Sequence, residues 1–170
     1  MEKKLYFYQN FEEKMFCNTE SYICAVDEKG RVLIPAKFRK DNEDLIEKGF
    51  YLKQSTDFPC LELFPSETWF EYMKILNGMG AFNKTVIAYK TKFLANVKQV
   101  TLDKTNRILI SKDLLNVCSI GKEIKMVPLT DRYQIWDSEM YQQHLASLAE
   151  DDFTEITEKL DEMFRNNLKP

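Results

Sequence analysis

An eight-residue pattern that occurs twice constrains this chain more than anything else in it. Asp27-Glu28-Lys29-Gly30-Arg31-Val32-Leu33-Ile34 is matched by Asp103-Lys104-Thr105-Asn106-Arg107-Ile108-Leu109-Ile110, 76 positions later. Each copy reads Asp, two polar residues, Gly or Asn, Arg, and an aliphatic triplet. Gly30 and Asn106 fall where a tight turn between two strands needs a residue tolerant of positive φ. Asp27 and Asp103 are of the type that shapes such a turn through its side chain. Arg31 and Arg107 follow directly, so both halves are expected to show the same basic side chain at the same point of the same hairpin. A repeat of this period predicts tandem units. Halves of this size are marginal as isolated cores, so they are expected to pack on each other or on other subunits.

The surrounding sequence extends the repeat. Before the first turn, Tyr22, Cys24 and Val26 alternate with Ile23 and Ala25, the pattern of a half-buried strand. After it, Pro35 opens a predicted helix running to about Ile46 and ended by Gly49. Strands are predicted over Phe50–Gln54 and Leu61–Phe64, then a helix from Pro65-Ser66-Glu67 with Trp69, Tyr72, Met73 and Leu76 at helical spacing. Residues 81–96 read as a linking helix with Phe82, Val86, Tyr89 and Phe93 along one side, most simply a packing stripe. The series then restarts, with strands at Val97–Leu102 and Arg107–Ile110, a helix near Ser111–Val117, and strands at Ile124–Leu129 and Tyr133–Trp136. A further helix begins near Ser138, whose side chain is of the capping type. The fold class is therefore α+β, two copies of a ββαββα-like unit.

Composition narrows the function classes. Four cysteines (Cys17, Cys24, Cys60 and Cys118) include no C-x-x-C pair, which argues for reduced packing residues and against a zinc site. No stretch approaches the ~20 apolar residues that span a membrane, and no apolar signal core follows the charged N-terminus, so a cytoplasmic location is expected. With five glycines, one histidine (His144) and no nucleophile elbow or phosphate loop, no catalytic residue and no cofactor is expected. The net charge of −3 hides an uneven distribution: residues 150–170 hold seven acids against three bases, which leaves the rest of the chain at +1. A near-neutral body of this kind binds nucleic acid where its basic residues share one face.

The motifs resemble those of the MraZ family of bacterial transcription regulators. The likeness rests on Asp27-x-Lys29-Gly30-Arg31-x-x-Ile34-Pro35-x-x-Phe38-Arg39, with Tyr22 before it, and on Leu102-Asp103-x-x-Asn106-Arg107-Ile108-x-Ile110. Gly121, Ile124–Val127 and Tyr133-x-Ile135-Trp136 extend it, so that it covers about residues 15–147. The resemblance implies two pseudo-repeated SpoVT-AbrB-like swapped-hairpin β-barrel units with flanking helices, here spanning 15–80 and 97–148. It also implies a ring homo-oligomer, commonly an octamer, that binds repeated operator elements in double-stranded DNA ahead of the division and cell-wall gene cluster, and hence a nucleoid association. Carried over, it points to Lys29, Arg31 and Arg107 as DNA contacts, with Lys104 nearby and Arg39 as a weaker candidate. Asp27, Gly30, Asp103 and Asn106 would shape the turns. The copies are unequal, because Asn106, Ser111 and Leu115 stand where the first copy has Gly30, Pro35 and Arg39.

Two blander readings accompany this one. Arg31 and Arg107 could simply pair with Asp27 and Asp103 to stabilise the turns, and Lys37, Arg39, Lys40, Lys98 and Lys112 could form solvated faces. Residues 1–14 carry no assigned role. The segment 149–170 reads as an acidic amphipathic helix with Phe153, Ile156, Leu160 and Phe164 on one side, suited to docking on its own ring. In an alternative reading the chain keeps the fold, has lost operator binding, and uses that acidic helix to bind a protein partner.

Overall fold

The computed structural model describes residues 19–80, 82–148 and 153–167. The N-terminal extension and Cys17 lie outside them. The chain divides into two compact units that meet between Ser138 and Glu139. The first unit is α+β. Its strands are β1 (Tyr22–Ala25), β2 (Arg31–Leu33), β3 (Phe50–Gln54), β4 (Leu61–Pro65), β5 (Lys98–Val100), β6 (Arg107–Leu109), β7 (Glu123–Pro128) and β8 (Tyr133–Asp137). Its helices are α1 (Ala36–Asp41), α2 (Glu43–Lys48), α3 (Ser66–Gly78), α4 (Lys84–Phe93) and α5 (Lys112–Val117). In the second unit α6 (Ser138–Ser147) is followed by α7 (Thr154–Asn167), whose Ile156, Leu160, Met163 and Phe164 are exposed.

Six strands form one open antiparallel sheet in the order β1-β7-β8-β4-β3-β5, and β2 and β6 form a separate two-stranded ribbon. Exchanging each strand for its counterpart in the other repeat reverses the six-strand order without changing it. The sheet is thus palindromic, and the registers locate its centre. Val32 faces Ile108 in the ribbon, and Glu62 faces Gln134 where β4 meets β8. Both are pairs of equivalent positions, so an approximate two-fold axis passes through them. The outermost strands are exchanged: β1 of the first repeat pairs with β7 of the second, and β5 of the second with β3 of the first.

This differs from a simple hairpin on each turn. Past the turn, only a bridge between Val26 and Val32 joins β1 to β2. The cause is the burial of the outer two residues of each aliphatic triplet. Val32, Ile34, Ile108 and Ile110 are at most 2% exposed, and pairing β2 with β6 turns all four into one core with Leu52, Phe38 and Ile135. Strand β4, in the middle of the sheet, is buried at every position because its other face is covered as well. There Phe64, Trp69, Leu76 and Phe93 form a second cluster beneath α3 and α4, with Trp69 and Phe93 stacked at 5.7 Å. Of the predicted linking stripe, Phe93 is buried but Phe82 is 99% exposed.

Two helix expectations are corrected. The helix predicted to run unbroken from Pro35 to Ile46 is split at Asn42, which leaves the helical region at φ −134°. The buried Asn42 side chain donates to the Phe38 carbonyl at 2.8 Å and accepts from the Tyr133 hydroxyl at 3.4 Å, which holds the break in place. Ser138 is the first residue of α6 rather than its cap, and its buried hydroxyl has no hydrogen-bond partner among the described residues. Cys24, Cys60 and Cys118 are free thiols in the core, and burial pushes Cys60 up to about 12.

The aromatic cluster holds a charged group. Lys53 Nζ is fully buried, 3.1 Å from Glu62 Oε2 and 2.6 Å from the Gln54 carbonyl, and lies 4.5 Å over the Phe93 ring. Arg132 Nη1 approaches Glu62 Oε1 at 3.5 Å and its guanidinium lies 4.6 Å over Phe64. Its Nε sits 3.1 Å from Asp131 Oδ1, near enough for charge pairing though off the line of its N–H. Glu62 is the hub of this group. Glu62→Ala, which strands a buried ammonium, is expected to lower stability by about 3–5 kcal/mol in chemical denaturation. Glu62→Gln, which keeps the shape but removes the charge, should fall between that variant and the wild type.

Candidate nucleic-acid interface

The repeated turns form as the sequence implies, by the same backbone bonds in each copy. Asp27 N–H donates to the Arg31 carbonyl at 3.0 Å and Gly30 N–H to the Asp27 carbonyl at 2.9 Å; Asp103, Arg107 and Asn106 repeat this at 2.8 and 2.9 Å. Gly30 has φ +81° and Asn106 φ +59°, the left-handed conformation both positions demand. Asp27 Oδ1 accepts from the N–H groups of Lys29 and Arg31, both at 2.9 Å. Asp103 Oδ1 accepts from the N–H and hydroxyl of Thr105, each at 2.7 Å, and from Arg107 N–H at 3.0 Å. Thr105 was not evident as a site residue from sequence, although a hydroxyl two residues after a turn-shaping Asp is a recognisable cue. These bonds hold both carboxyls below the ordinary value of 3.8, chiefly through Arg31 N–H for Asp27 and the Thr105 hydroxyl for Asp103.

Each turn also locks onto the opposite repeat. Ile110 N–H donates to the Gly30 carbonyl at 2.9 Å, and Ile34 N–H to the Asn106 carbonyl at 3.0 Å. A Cβ on Gly30 would lie 2.4 Å from the Ile110 carbonyl oxygen, so no side chain fits there. The same Cβ would lie 3.4 Å from Leu115 Cδ1, which places Leu115 under the turn, whereas Arg39 and Asn106 line one shallow groove. The departures at 106 and 115 are therefore spatially matched: each turn rests on the helix of the other repeat. Arg39 is half-buried, with its Nε donating to the Ile34 carbonyl at 3.3 Å, and so anchors the end of β2. Lys29 and Lys104 stand exposed on the turns.

The ribbon brings Arg31 and Arg107 together. In its register Arg31 faces Leu109 and Leu33 faces Arg107, so all four side chains share the face opposite Val32 and Ile108. Arg31 Nε donates to Asp27 Oδ2 at 2.7 Å, and Arg107 Nη1 lies 3.7 Å from that same oxygen. The turn-pairing reading thus holds for Arg31 but is corrected for Arg107, whose guanidinium crosses the ribbon to Asp27 instead of its own Asp103. Both arginine side chains keep 37% exposure. Among the described residues the Arg31 Nη groups meet no acceptor, which leaves the outer edge of the fork open. An exposed ion pair of this kind contributes little, and an arriving anion can displace it at small cost. Leu33 and Leu109, 55% and 58% exposed, were not singled out by sequence reasoning, which assigned the aliphatic triplet no facing.

Among the described residues no His, Cys, Asp and Glu groups cluster in threes to hold a metal, and no helix is long and apolar enough to cross a membrane. Fold and site together define a class: an α+β protein of two interleaved copies of one unit, displaying paired arginines on a central ribbon. A family model described as "MraZ protein, putative antitoxin-like" matches residues 15–90 and 93–164, and the chain belongs to this family. It is 36% identical over 140 residues to a protein of Christiangramia forsetii named transcriptional regulator MraZ, covering 82% of this chain and 90% of that protein. Proteins of the same name from Flavobacterium psychrophilum and Finegoldia magna are 32% and 31% identical, covering 82% and 86% of this chain and 88% and 99% of theirs.

Two outcomes follow. Gly30→Ala is expected to destabilise the fold by about 2 kcal/mol or more, from positive φ and overpacking together, and Asn106→Gly to be tolerated; thermal unfolding compares them. The depressed carboxyls stabilise the turns fully above the ordinary value of 3.8, and that contribution is lost as pH falls through their lowered folded values. The amide NMR signals of Lys29, Arg31, Thr105 and Arg107 should therefore hold steady down to about pH 4 and shift below it.

Proposed function

We propose that this protein is a sequence-specific DNA-binding transcriptional regulator that acts on repeated operator elements ahead of the division and cell-wall gene cluster. The observation that carries this reading is the placing of Arg31 and Arg107 on one exposed ribbon face, two-fold related and, among the described residues, tethered by Asp27 alone. A guanidinium fork on a ribbon can pair with guanine O6 and N7 in the major groove, and Lys29 and Lys104 on the flanking turns are suited to phosphate contacts. The names of the relatives agree with this role. It needs neither cofactor nor catalytic group.

On this reading the two units span about 15–80 and 97–148, joined by the segment 81–96 and followed by the acidic tail from 149. They are a swapped-hairpin pair of the SpoVT-AbrB kind, a view supported by the exchange of β1 and β5 between repeats. One ribbon makes few contacts, so a ring of subunits engaging several operator repeats gains affinity through effective concentration. The site of action is the nucleoid, in the cytoplasm. The exposed apolar side of α7 favours a second reading, in which the fold has lost operator binding and the tail recruits a protein partner.

Binding to duplexes carrying short direct repeats from upstream of that gene cluster separates the two readings. For the regulator, log affinity falls linearly with log salt, and Arg31→Ala weakens binding about tenfold or more without changing oligomer mass in light scattering. Wild-type protein that ignores such duplexes at low salt would overturn it.

A further inference from the structure

Building on the DNA-binding reading, we infer that Leu33 and Leu109 are specificity residues that recognise thymine C5-methyl groups beside the bases contacted by Arg31 and Arg107. The ribbon register supplies the argument. Arg31 and Leu33 alternate outward on β2 and Arg107 and Leu109 on β6, and the antiparallel pairing sets each Arg directly across from a Leu of the other repeat. The outer face is thus a diagonal checkerboard of two cations and two aliphatic side chains. The inner face of the same strands is sealed, with Val32 and Ile108 no more than 1% exposed, so Leu33 and Leu109 hold no part of the core.

Dimensions and chemistry select the occupant. Two strands lie about 4.8 Å apart, so the ribbon with its side chains suits a major groove about 12 Å wide. That groove floor presents two features that match this face, guanine O6 and N7 for a guanidinium and the thymine methyl for an aliphatic side chain. The turns at either end carry Lys29 and Lys104 outward, while Asp27 and Asp103 are engaged in holding turn backbone. Glu28 is the one further acid in the two motifs. An apolar protein partner would suit the two leucines, but it would bury two guanidinium groups with the one carboxylate of Asp27 between them, leaving a net positive charge without acceptors. Double-stranded DNA satisfies all four side chains.

The two-fold relation adds a geometric consequence. The four side chains meet the groove as two equivalent Arg-Leu pairs running in opposite directions, so the guanines and thymines they touch should be arranged with local two-fold symmetry inside each repeated element.

The test uses the full-length oligomer and a duplex recovered by the protein from a random-sequence pool. Each thymine in the bound element is replaced in turn by deoxyuridine, which removes only the methyl group, and affinity is read by fluorescence anisotropy. At one or more thymines the replacement is expected to weaken wild-type binding about fourfold, the worth of one buried methyl. Leu33→Ala or Leu109→Ala should lose about as much on the thymine duplex and show no further loss with deoxyuridine at the matching position. The inference is overturned if no replacement affects the wild type, or if both alanine variants stay as sensitive as the wild type. It is equally overturned if either variant changes oligomer mass in light scattering, which would make the ribbon a subunit contact. Arg31→Ala distinguishes the levels. If it abolishes binding while deoxyuridine has no effect, the leucine assignment alone fails; if the wild type recovers no duplex from the pool, the DNA-binding reading fails with it.

Discussion

The antiparallel pairing of β2 with β6, centred on Val32 opposite Ile108, is the constraint on which the rest of the first unit depends. It draws Val32, Ile34, Ile108 and Ile110 into one core, and in doing so denies each β-turn the hairpin partner it would have in isolation. Strands β1 and β5 must then find partners elsewhere, and the two-fold relation leaves each an edge of the other repeat. The exchange follows from burying four β-branched side chains at once, a gain of roughly 1.5–3 kcal/mol for each. The same pairing fixes what faces outward, because alternation along a strand leaves the intervening residues no other direction.

The two repeats share a backbone plan but not a chemistry. Gly30 rests on Leu115, Asn106 shares its groove with Arg39, and Asp27 receives both arginines while Asp103 turns to Thr105. On the dyad Glu62 faces Gln134, so the charged cluster with Lys53 and Arg132 belongs to one side only. Departures that look like decay when the second motif is read alone become paired adjustments once each turn is seen lying on the other repeat's helix. A buried cluster satisfied on one side leaves the opposite side free for a neutral amide, whose oxygen accepts from Trp136 Nε1 at 3.1 Å.

Much of this was legible in the sequence. The turns at Asp27 and Asp103, the positive φ of Gly30 and Asn106, the strands around them and the exposure of both arginines follow from local residue type. Partner choice was not legible, because Tyr22, Cys24 and Val26 show only that β1 has one buried face, and not which strand lies beside it. The break at Asn42 also escaped, since it depends on Tyr133, a residue 91 positions away that meets the Asn42 side chain in the core. Leu33 and Leu109 escaped for a related reason. In a run such as Arg-Val-Leu-Ile, hydrophobicity alone does not say which aliphatic side chains face inward; the pairing decides.

The exchange of edge strands has a consequence in time. During synthesis β1 emerges early, but the strand that pairs with it follows about a hundred residues later. Until then Tyr22 and Cys24 lack the neighbour that buries them, and β2 likewise waits for β6. Contacts this distant along the chain make folding slow relative to local hairpins. The hairpin of β3 and β4 has its partner at hand, but the sheet around it is complete only once β7 and β8 are available. A chain cut between its two repeats would leave two fragments, each holding an orphaned edge strand that fits the other.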